Sequence, residues 1–331
     1  MIRFVVAGLC ALVVAVAAPA TAQVTVSADK HRAVMTSTTA TLDAAQVIET
    51  VLNSVIVEME RVNLASDAQF PAAVERLYRT IAEGRREVAG QITLLTGLPR
   101  VAEEGDPPDV LIIDQMVLMS IEQAHRMDRM LADIETMYRA YESGDEAKAK
   151  ASLASTQNIV VFVAESMALR LKGASALYPA ASFDGTILVG TGCFYEGLTA
   201  YYRIGFSYEE NPITVASDSM VRQSVTDLDA AIACMQDAHS RAGISMQLEA
   251  QRPMMTYSLT RLRDGLVPLR VDYLANMELG RTILMDIREP LASGRGLGGL
   301  MEDIDADTTR YEERNADIAR RTVQLNQTGG R

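Results

Sequence analysis

A chain of 331 residues, 48% hydrophobic and 22% charged, has the balance of a globular protein, which excludes an intrinsically disordered chain and a fibre. Its net charge of −12 argues against nucleic acid and against anionic lipid as partners. The length predicts one or two domains.

The chain opens Met1-Ile2-Arg3, followed by an apolar run from Phe4 to Ala18 and then Pro19-Ala20-Thr21-Ala22. A basic residue, a short apolar core and a small-x-small site predict a cleaved signal peptide over 1–22. The run is too short for a spanning helix, so an integral membrane protein is not expected. Residues 23–40 are polar without a helical period and read as a linker. From there one pattern recurs: apolar residues at 3–4 spacing, closed by Gly or Pro. It predicts helices from about Leu42 to Leu64, Pro71 to Gly97, Val110 to Tyr141, Glu146 to Lys172, Asp184 to Phe206, Asn211 to His239, Met254 to Leu291 and Met301 to Leu325. In the third, Met127, Met130, Ile134, Met137 and Tyr141 keep a 3-4-3-4 seam. In the seventh, the stripe reads Leu262, Leu266, Leu269, Tyr273, Met277, Gly280, Leu284, Ile287 and Leu291, with Pro268 as the expected bend. Three β-branched runs, at 110–113, 159–163 and 186–189, have the composition of buried strands, but their helix-forming flanks favour helix. The expected fold is all-α: an antiparallel helical bundle of about eight helices after a cleaved signal peptide. Residues 41–178 and 179–327 form two bundles or one domain.

After cleavage two cysteines remain, Cys193 and Cys234, and in an oxidising compartment they are expected to form one disulfide. The run Gly190-Thr191-Gly192-Cys193-Phe194-Tyr195-Glu196-Gly197 resembles the opening of a dinucleotide fingerprint. Tyr195 stands where the third small residue belongs, and the glycines are read as close helix contacts. Glu165 is the one acid in an apolar stretch from Ile159 to Leu169; burial would raise its pKa, as a general acid requires. Glu196 has the same character among Phe194, Tyr195, Tyr201 and Tyr202, with Arg203 two turns on. Glu165, Glu196, Tyr201, Tyr202 and Arg203 are therefore the candidate ligand-binding residues. Met116, Met119, Met127 and Met130 are read as core, and Asp303, Asp305 and Asp307 as an acidic first turn rather than a calcium loop. No catalytic residue, metal or cofactor is assigned.

Glu165-Ser166, with Gly173-Ala174 after it, resembles the catalytic glutamate and following serine of lytic transglycosylases. That resemblance implies a helical exported enzyme acting on cell-wall glycan with Glu165 as acid. The interval from glutamate to glycine is shorter here, and the Gly-Leu-Met-Gln segment of that family is absent.

The leading expectation is an exported, soluble helical interaction module of a bacterial-type envelope, periplasmic or secreted. Its partner would be an envelope protein or a small ligand, and homo-oligomerisation stays open. The alternatives are a ligand-binding receptor or sensor with an aromatic and acidic pocket between positions 165 and 203, and the glycan-acting enzyme.

Overall fold

The computed structural model describes residues 27–66, 68–106, 108–179, 182–210, 218–250, 257–294 and 300–329. The expected leader and the Asn211-Pro212 helix start lie outside them. Among the described residues there are eight helices and no strand. They are α1 (Ala28–Asn63), α2 (Phe70–Thr96), α3 (Pro108–Glu142), α4 (Glu146–Ser175), α5 (Phe183–Glu210), α6 (Asp218–Ala250), α7 (Tyr257–Ala292) and α8 (Met301–Gly329). All three β-branched runs are helical, in α3, α4 and α5.

The helix ends follow local chemistry. Pro71 sits in the first turn of α2, where its missing N–H costs nothing, and Gly97 closes that helix. Gly144, at φ 73°, turns the chain after α3, and the Asp145 carboxylate accepts the Lys148 N–H at 3.0 Å to start α4.

The chain departs from expectation at 28–40, which is the first third of α1 and not a linker. Ser27 caps it by accepting the Lys30 N–H. The hydroxyls of Thr36, Thr38 and Thr41 donate to the carbonyls of Arg32, Val34 and Ser37. With their hydroxyls satisfied within the helix, Thr38 and Thr41 are buried, together with Ser37, as an apolar stripe would be. A stripe built from hydroxyl residues carries no hydrophobic period. Within α1, Arg32–Asn63 has the length and hydropathy of a membrane span. Its Ala44, Ile48, Leu52 and Val55 are buried in the protein, as in a core helix.

The chain divides into two compact units, with the divisions falling inside α3 and α4 rather than in the loop near 178. In the first unit (27–102 and 113–163), successive helices run antiparallel. Glu58 of α1 pairs with Arg76 of α2 at 3.6 Å, and Arg85 of α2 with Asp128 of α3 at 2.7 Å. Ser155 of α4 donates to Asp133 of α3 at 2.7 Å, and Arg126 of α3 lies over the Phe162 ring of α4 at 4.1 Å. The buried face of α3 carries Met127, Met130, Leu131, Ile134 and Tyr138, whereas Tyr141 is 52% exposed. A strict 3.5-residue seam drifts off the face of a straight helix, so the 3.6 period transfers the last place from Tyr141 to Tyr138.

In the second unit (103–112 and 164–329), the α7 stripe from Leu266 to Leu291 is buried as the pattern predicts. Cys193 of α5 and Cys234 of α6 are disulfide-bonded, with Cα atoms 6.0 Å apart. The α5 glycines sit where neighbours come closest: Gly190 against Met277 and Ala238, Gly192 against Ala168 and Lys172, Gly197 against Leu284. The dinucleotide-like spacing is therefore a helix-packing surface in mid-helix, with no turn in it to cradle a phosphate.

Candidate functional site

Two helices bring the charged candidates, Glu165, Glu196 and Arg203, to the surface of the second unit. Glu165 of α4 and Arg203 of α5 form an ion pair. The other guanidinium nitrogen of Arg203 lies 4.0 Å from Asp227 of α6. Farther along the same helix pair, the Lys172 ammonium of α4 donates to Glu196 of α5 at 2.5 Å. The spacing follows from antiparallel helices: positions that fall on α4 move on α5 in the opposite direction.

This geometry corrects the burial read for Glu165 and Glu196. Both carboxylates are at the surface, 43% and 46% exposed. The turns around Glu165 bury Val163, Ala164, Met167 and Ala168 on one side and leave Phe162, Glu165 and Leu169 on the other. A run that looks uniformly apolar thus has a wet face, and Glu165 stands on it. Glu196 pairs with Lys172 and not with Arg203. Exposed pairs of this kind contribute at most about 1 kcal/mol each; they orient side chains more than they stabilise the fold.

Tyr201 and Tyr202 are buried, next to each other with ring centroids 5.5 Å apart. Tyr178, Phe183, Phe194 and Tyr195 are buried too. These aromatics build the interior of the unit, so the five candidate residues separate into a charged outer layer and an aromatic inner one. Sequence reasoning missed Lys172 and Asp227, because no local spacing announces a partner on another helix.

It also missed a polar layer inside the same unit. Asn276 of α7 donates through Nδ2 to the Tyr311 carbonyl at 2.9 Å and to Asn315 Oδ1 at 2.7 Å, both on α8. The Tyr311 ring stacks on Phe194 at 4.1 Å. Burial pushes the Tyr311 hydroxyl up to about 12, against the opposing influence of hydrogen bonds with Asn315 and Thr191. Thr308 and Glu312 are buried on the same helix. Isolated asparagines in a charged helix gave no sign of this role.

Elsewhere the remaining candidates have structural surroundings. Met116, Met119, Met127 and Met130 are core residues. Asp307 pairs with Arg310 at 3.0 Å. Among the described residues no group of three His, Cys, Asp or Glu side chains is arranged to hold a metal ion. Comparison of the chain with models of protein families, with curated proteins and with solved structures finds no match.

Proposed function

We propose that this chain is an exported, soluble helical module of a bacterial-type cell envelope that acts by binding a protein partner, its leader removed and its helices packed as antiparallel bundles. The observation that carries the reading is the state of the charged candidates. Arg203 stands between Glu165 and Asp227, and Lys172 pairs with Glu196, so these charges are engaged with one another across helices and leave a face with one excess negative charge. Apolar side chains stand out from the same unit. Leu169 on α4 is 76% exposed, and Ile244 and Leu248, one turn apart on α6, are 58% and 54% exposed. Exposed apolar residues at helical spacing on a stiff support suit recognition of another protein surface. The Cys193–Cys234 disulfide supports an oxidising compartment, in keeping with the leader-like first 22 residues.

Two experiments test this. Cell fractionation with N-terminal sequencing is expected to find the mature protein outside the cytoplasm, beginning at Gln23. Retention in the cytoplasm with the leader intact overturns the export reading. Immobilised native protein is expected to retain a specific envelope protein that an Ile244→Glu, Leu248→Glu variant of unchanged helicity releases. Equal retention by both proteins removes α6 as the binding face, and a native protein that retains nothing overturns the binding reading.

A further inference from the structure

We infer that Met285 is an oxidation site: its thioether takes up one oxygen atom from a peroxide, and the Arg281 guanidinium, already in place beside the sulfur, holds that oxygen. Seven methionines among the described residues are buried at 5% exposure or less. A sulfoxide at any of them would bring a polar group into packed apolar surroundings. One of the seven, Met277, lies about two turns before Met285 on the same helix. Met285 itself is 43% exposed. It stands on the outer ridge of α7, with Arg281 one turn and Glu278 two turns before it.

The three side chains form a chain of contacts. Glu278 accepts from Arg281 Nε at 2.9 Å and also from its Nη2. This two-point grip fixes the guanidinium plane and turns Nη1 toward Met285, whose Sδ accepts from it at 2.9 Å. A thioether sulfur is a weak acceptor. A sulfoxide oxygen carries partial negative charge, so its bond from an ionised guanidinium is charge-assisted and stronger. Arg281 is thus positioned for the oxidised side chain better than for the reduced one. The reaction balances with hydrogen peroxide as the oxidant. A sulfur lone pair attacks one peroxide oxygen and the O–O bond breaks. The other oxygen takes the proton of the attacked one and leaves as water. Sulfur is oxidised by two electrons and the peroxide is reduced by two. Met220 on α6 is exposed to a similar degree, 41%, so early oxidation is common to both; the guanidinium at the sulfur is what distinguishes Met285.

Two measurements on the full-length protein test the two halves of this inference. Native protein is treated with a limited amount of hydrogen peroxide, and each sulfoxide is located by peptide mass. Sulfoxide at Met285 is expected to form well ahead of sulfoxide at Met277 and the other buried methionines. Formation no sooner than at Met277 overturns the site. The holding role is read without any oxidant, because Met285→Gln places a carbonyl oxygen near where the sulfoxide oxygen would lie. Met285→Gln and Met285→Leu are each made with Arg281 present and with Arg281→Leu, and the four folding constants are measured by urea titration. The ratio of the Gln to the Leu constant is expected to fall by a factor of about two to five when Arg281 is replaced. Taking the ratio removes the difference in helix propensity between Gln and Leu. A ratio that does not change with Arg281 overturns the holding role.

Discussion

Gly84 and Gly90 lie on one helix and look interchangeable in the sequence, yet they answer to different constraints. A Cβ at Gly84 would collide with the β-branched Val51 side chain of α1, whereas one at Gly90 meets nothing within 4 Å. Gly84→Ala is therefore expected to lose about 1–3 kcal/mol through overpacking. Gly90→Ala is expected to gain about 1 kcal/mol, because the exposed helix interior penalises glycine. Urea titration of the two variants checks both signs, and equal effects would refute the assignment of Gly84 to close packing. Glu165 illustrates the same limit on local reading. Its neighbours in sequence are apolar, but it stands on the exposed face of α4 with Phe162 and Leu169, and Arg203 reaches it from α5. Glu165→Gln is expected to change stability by less than about 1 kcal/mol, measured by thermal unfolding. A large loss would mean that the carboxylate supports more than this surface pair.

At the scale of elements, helices α2 to α5 and the stripe of α7 were legible, since Pro71, Gly97, Gly144 and Asp145 set ends and apolar spacing set faces. The first third of α1 was not, because its buried side chains are hydroxyls bonded to their own helix. Between α7 and α8 the structure adds an electrostatic consequence. Burial raises the Asp286 carboxyl above its ordinary value, and the nearby Asp307 and Glu289 raise it further. The folded protein therefore holds a proton there that the unfolded chain has already released, and stability falls as pH rises from the ordinary carboxylate range through the raised value. Asp286→Asn is expected to raise the thermal midpoint at neutral pH and to leave it unchanged in acid below that range. Thermal scans at the two pH values test the sign; a lower midpoint at neutral pH would contradict it. Glu278 behaves oppositely, since its hydrogen bond to Arg281 lowers its carboxyl. The stability it adds is present above the unfolded value and is lost as pH falls through the folded one.

For the whole molecule, the crosslink between α5 and α6 closes a span of 41 residues, which in the loop-entropy description stabilises the fold by about 4 kcal/mol. Reduction, or Cys193→Ala with Cys234→Ala, is expected to accelerate amide exchange across α5 and α6 and to leave α1 and α2 at their parent rates. Uniform acceleration would show that the disulfide stabilises the chain as one cooperative body. The helical class and the cysteine pair could be read from the amino-acid sequence, because periodicity, caps and cysteine count are local or compositional properties. The partners of Glu165, Glu196 and Asn276, the solvent face of α4 and the division of the chain within α3 and α4 came only from the tertiary structure. Each depends on which helix stands opposite and how far it is shifted along its axis, and an α-helix repeats its surface every few residues. A single strand of text leaves several such alignments open, and contacts distant in sequence choose among them.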